Sequence, residues 1–515
     1  MKISLRYTVV TLAVLVGFGW HVQWATAQNG FEAYHFTSRD PGHSSVTIGT
    51  AGAGLSLQSS SAALGLNPAL MGYAAQSTFE ASLMSVRSNE TATFTLGGNP
   101  QDPVDSEFRA TKLSHVGLVT KVPVAQGSLA FGASFARVKS FEREMRYSGQ
   151  NGLNSVTDYF MPIAGEFDIT DNGDGTVTPT FYRDLSFIAY ETFGIDFDAE
   201  KYAAGNPVPF SPAVRTGSVL QSGQVTETGG VNEWQAGLAI EAARDVMVGV
   251  SMRIPVGSYT FYRQHNEEDQ FNENDGSAGT TDFDRLTLVE SFSTDFGGIG
   301  FSVGVASNLT SRIRGSVVIS TPTWIAATDA YDTELEVRFD NGDRYTFGQA
   351  AADQEGSGVF DYRIVTPWEM GVGIGYEGTN LTAAFDMHYA DWSQLSLDAD
   401  AYNFAAENAE TRQNLTEQLQ TRFSLSYRLG NLTWRGGWTT VPDVRLNPTD
   451  AVDRTRQYQS TGLSFQLGEG ATLDLSWIRT NRDDAYAPYV EVNEAPTVAE
   501  KVESSRIVLG IRVAF

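Results

Sequence analysis

The chain ends in SSRIVLGIRVAF, where Ile507, Leu509, Ile511, Val513 and Phe515 share one parity and Arg506, Gly510 and Arg512 the other. Successive side chains on a pleated strand point to opposite faces, so an apolar residue at every second position means a strand with one dry side. Just upstream, Leu463, Phe465 and Leu467 alternate, the chain turns at Gly468-Glu469-Gly470, and Leu473, Leu475 and Trp477 resume the alternation. That is a tight hairpin with the same dry side.

The motif repeats toward the amino end. Phe423, Leu425, Tyr427 and Leu429 turn at Gly430-Asn431 into Leu432, Trp434, Gly436 and Trp438. Met370, Val372, Ile374 and Tyr376 turn through EGTN into Leu381, Ala383, Phe385, Met387 and Tyr389. Ile299, Phe301, Val303 and Val305 lead into Ile313, Gly315, Val317 and Ile319, and Trp234, Ala236, Leu238 and Ile240 into Val246, Val248, Val250, Met252 and Ile254. A weaker pair flanks residues 121–128, from HVGLVTK to SLAFGASF. Six hairpins, the terminal strand and residues 77–86 (STFEASLMSV) make fourteen strands.

An even number brings both ends of the wall to one side, and the connections alternate between short turns and long segments, the longest about residues 140–232. Charges occupy the parity opposite the apolar one: Arg253, Asp386, His388, Arg422, Arg428, Arg435, Asp474, Arg506 and Arg512. A soluble sandwich would bury that face or wet the apolar one, whereas a barrel in lipid turns the charges to its lumen. Trp234, Trp368, Trp434, Trp438 and Trp477 lie on the apolar parity, where interfacial girdles recruit such rings. The expectation is an all-β fold, a 14-stranded antiparallel transmembrane β-barrel.

The first residues, MKISLRYTVVTLAVLVGFGWHVQWATAQ, combine Lys2 and Arg6, an apolar run and a small-x-small site, and predict a signal peptide over residues 1–27 cleaved after Ala27. No other segment approaches the roughly 18 apolar residues of a membrane helix. The absence of Cys excludes a lipoprotein anchor and any disulfide framework. With 35 basic against 61 acidic residues the net charge is −26, or −28 once Lys2 and Arg6 leave with the leader. Such a chain carries no electrostatic footprint for nucleic acid.

Before the first strand, SSSAALGLNPALMG closes on Asn67-Pro68-Ala69. Asn initiates turns and Pro68 fixes its own φ while steering Asn67 out of the α region, so the stretch reads as a rigid turn. Fourteen strands, a preceding segment of residues 28–75 and an Asn-Pro-Ala element at the junction resemble the FadL family of outer-membrane transporters for hydrophobic compounds. The stretches TPWEMGVGIGYEGTNLTAAFDMHYADW and GIGFSVGVASNLTSRIRGSVVIS look like strand pairs of that family.

The resemblance implies that residues 28–75 form a small N-terminal hatch plugging the lumen, with Asn67, Pro68 and Ala69 as the motif where it meets the wall, and residues 76–515 the barrel. Family members often place an acid shortly before Asn-Pro-Ala, whereas Ser59-Ser60-Ser61 stand here. The family's lateral opening depends on an irregular early strand, for which Gly132 is a candidate, and Gly436-Gly437 reads as a second bulge candidate.

Catalysis has little support: the His residues are scattered, no nucleophile motif is present, and Asp386 with His388 reads as a salt-bridged lumen. FDITDNGDGTVTPTF spaces Asp168, Thr170 and Asn172 like a calcium loop but puts Pro179 where a bidentate Glu belongs, so it reads, with FDNGDRYTF, as an external hairpin. No metal or cofactor is called for, and the acidic run HNEEDQFNENDG reads as a solvated external face.

The longest connection contains FYRDLSFIAYETFGIDF, rich in large apolar residues for an aqueous loop. It reads as a lid core, or as a docking groove for a lipophile built from Phe187, Ile188, Tyr190 and Phe193. The function implied is passive transport of hydrophobic small molecules, such as long-chain fatty acids or hydrocarbons, by a monomer embedded in outer-membrane lipid. The alternative is a barrel of the same build that docks or shuttles secreted proteins.

Overall fold

In a computed structural model of the chain the described residues are 29–515 apart from 174, 175, 216, 217, 278–280, 351, 449 and 469. The expected leader lies outside them. Fourteen antiparallel wall strands stand among the described residues. They are β1 (Thr78–Leu96), β2 (Val104–Val122), β3 (Leu129–Ser140 continued by Arg143–Asn151), β4 (Val219–Ala243) and β5 (Val246–Glu268). Next come β6 (Phe283–Asn308), β7 (Ile313–Ser320 and Trp324–Phe339), β8 (Gly358–Val365 and Glu369–Glu377), β9 (Leu381–Asp391) and β10 (Glu417–Leu429). The wall ends with β11 (Leu432–Val441), β12 (Arg456–Gln466), β13 (Ala471–Tyr486) and β14 (Thr497–Ala514). Each pairs with the next, and β1 closes the ring against β14 from Thr78↔Ala514 to Thr95↔Thr497. All six predicted hairpins form, with Leu463 opposite Leu475 and Phe423 opposite Trp438.

The apolar parity faces outward. Leu83, Val303, Phe423 and Leu509 are each at least half exposed, which only a lipid environment makes favourable over a whole belt. The five belt tryptophans are exposed as expected. The opposite parity points inward, and Arg253, Asp386, Arg422, Arg435, Asp474 and Arg506 are buried in the lumen.

The strands are taller than the alternation indicates. In β4 residues 219–232 precede the belt, adding about 45 Å of strand at ~3.3 Å per residue. Above the bilayer the outer face meets water and the inner face buries polar groups, so both parities are polar and SGQVTETGG reads as loop although it is ladder. The connection expected over residues 140–232 therefore shrinks to 152–218, because β3 runs on to Asn151 and β4 begins at Val219. That remainder folds over the barrel mouth, burying Tyr159, Phe160, Leu185, Ile188 and Ile195 against Phe283, Leu286, Leu335 and Val337 of the tall β6 and β7.

Residues 29–77 lie inside. Helix α1 (Gly30–Thr37) is capped by Asn29, whose side chain accepts from the N–H groups of Phe31 and Glu32. Helix α2 (Ser45–Gly49) starts in a Ser44/Thr47 capping box, and α3 (Ala63–Leu66) leads into the 3-10 turn Pro68–Tyr73. This is the small N-terminal hatch, filling the lumen at membrane level.

Candidate functional site

The hatch holds to the wall through main-chain groups met by wall side chains. The Asp386 carboxylate accepts from the N–H groups of Gly54 at 2.6 Å and Leu55 at 3.0 Å, and Arg422 donates to the Gly52 carbonyl. Thr439 donates to Ala51 O, Ser316 to Leu55 O and Ser251 to Leu64 O. An irregular buried segment needs such partners for its backbone, and here the charged lumen parity supplies them.

Asn67-Pro68-Ala69 sits fully buried at the wall of β5 and β6. The Asn67 side-chain Oδ1 accepts from Ala69 N at 3.1 Å, and its Nδ2 donates to Leu55 O and to Val305 O and Val317 O of the wall. A Cβ at Gly304 would stand 1.9 Å from Asn67 Oδ1, and one at Gly249 2.4 Å from Ala69 N. Wall glycines thus set how closely the turn docks.

Two sequence expectations are corrected by the same packing. Gly132 lies in regular ladder, paired with Val119 and Gly237, and a Cβ there would meet Met71 of the hatch at 2.5 Å. Gly436-Gly437 is likewise regular, and a Cβ on Gly437 would stand 2.3 Å from the Thr50 backbone. Gly132 and Gly437 clear space for the hatch and bend nothing.

The irregularity in β3 falls instead at Phe141-Glu142. Below it, β2 and β3 pair from Val122↔Leu129 to His115↔Ala136. Above it, residues 104–113 of β2 pair only with β1, and Arg143–Asn151 pairs only with β4. The wall is open between β2 and β3 on the external side. β4 follows the departure at Gly229 and Gly230, whose φ values of 113° and 159° suit glycine alone. The upper half of β3 turns inward under β1, where Phe94 covers Gly149.

Behind the opening lies an aromatic cluster. Phe36 of α1 stacks on Phe296 at 5.8 Å and meets Phe141 at 6.3 Å and Tyr259 at 5.2 Å. Tyr34 meets Trp392 edge-on at 4.7 Å, and the cluster continues through Ile325, Tyr362, Leu395 and Leu397 to Phe404, beside the external helix Ala405–Asn414. Beneath Phe141, a polar cavity of about 90 Å³ is bordered by His35, Asp40, Lys139, Arg456 and Arg506. Neither the break nor this cluster is marked in the sequence by a motif; the diglycine in β4 is the signal that points to it.

Ser61, in the serine run before Asn-Pro-Ala, takes a carboxylate from the wall: its hydroxyl donates to Glu80 at 2.8 Å and lies 2.8 Å from His115 Nε2. This Ser, His and Glu do not make a nucleophile triad, because the carboxylate sits at the Nε2 edge and all three are buried.

The proposed groove residues come together in the lid. Ile188 is fully buried, Phe187 meets Phe347 edge-on at 5.8 Å, and Tyr190 packs on Phe181 at 5.4 Å. Phe193, with φ 59°, is 43% exposed and rests on Tyr345. The two Asn-Gly segments form the predicted external hairpins, Phe167–Asp171 with Val177–Phe181 and Trp324–Phe339 with Arg344–Phe347. Part of the acidic run is wall: β5 continues to Glu268 before Asp269 accepts from the N–H groups of Glu273 and Asn274.

These features define a membrane barrel plugged from within by its own amino-terminal segment and interrupted in its wall beside an aromatic lumen. No family model matches the chain, and no curated protein matches it in sequence. Among solved structures it is similar to a FadL homologue of Pseudomonas aeruginosa, with a TM-score of 0.55 and 12% identity over 93% of this chain and 100% of that one. It is also similar to the toluene transporter TodX of P. putida, with a TM-score of 0.50 and 11% identity over 92% and 99% of the two chains. The fold is of the FadL type.

Proposed function

We propose that the protein is a passive outer-membrane route for hydrophobic small molecules. The observation that carries this reading is the aromatic cluster that runs from the external loops, past α1, to the wall opening between β2 and β3. An apolar solute is repelled by a polar, lipopolysaccharide-type surface, and a pocket of aromatic rings lowers the cost of leaving water. The hatch below is fastened by its backbone, so a solute reaching Phe141 finds an exit sideways through the wall, at the outer edge of the apolar belt. Movement follows the concentration gradient. Long-chain fatty acids and small aromatic hydrocarbons both suit the cluster, and the similar structures, a FadL homologue and a toluene transporter, point the same way. The protein acts as a monomer after export and loss of residues 1–27, and its lid residues Phe187, Tyr190 and Phe193 offer the solute its first contact.

Native mass spectrometry of the barrel, released gently from its own membrane, tests the reading. A retained lipophile in a one-to-one complex is expected. A retained protein with an empty lumen would contradict it and favour a docking role in secretion.

A further inference from the structure

Among the described residues no main-chain hydrogen bond joins the two sides of the wall opening. The inner half of β3 is held across it by side chains. Ser106 of β2 donates to the Glu144 carbonyl at 2.6 Å, Lys112 pairs with Glu142 at 3.2 Å, and Gln101 and the Gln150 backbone exchange two hydrogen bonds. Each of these is a single neutral or partly exposed contact of modest worth.

Arg143 differs in kind. It is the first residue after the break, and its guanidinium reaches three strands at once. It is bidentate to Glu90 of β1 at 2.6 and 3.1 Å, bonded to Glu227 of β4 at 3.1 Å, and bonded to Glu500 of β14. The three carboxylates are at most 9% exposed, so one buried cation stands among three buried acids. Arg482 and Asp484 of β13, His35 of α1 and Lys139 of β3 face the same cluster. Removing the guanidinium would leave three buried acids without their counter-charge, and the inner segment would lose its tie to three strands at once.

We propose that Arg143 is the latch of the lateral opening: it pins the inner half of β3 beneath β1 and β14, and its release swings that segment away and widens the passage between lumen and exterior. This rests on the transport reading above for its consequence, though the pin itself does not. The role also follows from charge count. A segment held by packing alone, through Phe94, Met145 and Tyr147, would be indifferent to the charges around it.

Two variants of the full barrel test the latch, each first shown to fold by its β-sheet circular dichroism. In Arg143→Gln, hydrogen exchange of residues 143–151 is expected to rise at least tenfold while residues 129–136, below the break, stay protected. In the variant that combines Arg143→Met with Glu90→Gln and Glu500→Gln, two of the acids are neutral but the tie is still missing, and exchange of 143–151 is expected to stay at least threefold above the parent. Uptake of a fluorescent fatty acid by vesicles with a lipopolysaccharide outer leaflet should be faster than in the parent in both variants. Unchanged exchange in Arg143→Gln overturns the pin, and so does parental protection in the combined variant, which would show that packing alone holds the segment. Raised exchange with parental uptake overturns the gate. A parent barrel that carries no tracer at all refutes the transport reading instead, and exchange still decides the pin.

Discussion

Gly304 and Asn67 illustrate how a single position sets the seal of the lumen. The 1.9 Å approach of a Cβ to Asn67 Oδ1 cannot be absorbed by a rotamer change, because that oxygen is already fixed by the Ala69 N–H. Gly304→Ala is expected to push the turn off the wall at a cost of about 1–3 kcal/mol. Asn67→Ala should cost a similar ~1–3 kcal/mol by leaving buried backbone groups unpaired. Both should appear as faster hydrogen exchange across residues 55–73 with the wall strands unaffected; uniform exchange would show that the turn carries no load. The turn itself was legible because Asn-Pro is turn chemistry wherever it occurs. The glycines were not: on the lumen parity a glycine that admits a hatch residue and one that bends a strand leave the same mark. Gly132 and Gly437 were therefore assigned to bending, and only the position of Met71 and Thr50 separates the alternatives.

At the scale of elements, β3 and the lid carry the predictions. Glu500 lies about seven residues above the apolar belt of β14, and burial lifts its carboxyl to about 8, with Glu90 and Asp484 adding to the rise and Arg143 opposing it. Below about pH 4.5 the group is protonated in the folded and the unfolded chain alike, and between that and about 8 only the folded barrel retains the proton. The stability contributed by this group is therefore present on the acid side, is lost as pH rises to about 8, and changes no further above that. Denaturant midpoints of the barrel should fall between pH 6.5 and 8 in the parent and fall less in Glu500→Gln; an equal fall in both would remove Glu500 as the cause.

In the lid, Ile188→Ala should cost about 2–5 kcal/mol, because a fully buried side chain leaves a cavity among Leu185, Phe283 and Leu335. Limited proteolysis within residues 152–218 reads that loss directly, and parental resistance would contradict the packing described. All fourteen strands were legible where lipid imposes one dry face. Their external halves were not, since polar residues on both the wet outer face and the buried inner face erase the alternation, and the break at Phe141-Glu142 lies in that silent zone.

For the whole molecule, the account joins a lipid-facing belt, a hatch fastened by its backbone, and an aromatic lumen open sideways above it. Such a molecule should pass lipophiles and exclude ions and sugars, because the route past Phe36 and Phe141 is apolar while the axial path is filled by α2, α3 and the Asn-Pro-Ala turn. Barrel and hatch could be anticipated from alternation and resemblance; the wall opening could not, since it depends on which strands fail to pair. The most direct test is uptake by vesicles with a lipopolysaccharide outer leaflet, comparing a fluorescent fatty acid, an aromatic hydrocarbon and a disaccharide, with no energy source present. The account predicts uptake of at least one lipophile at least tenfold faster than in protein-free vesicles, with the disaccharide excluded. Equal rates with and without protein, or free passage of the disaccharide, would contradict it.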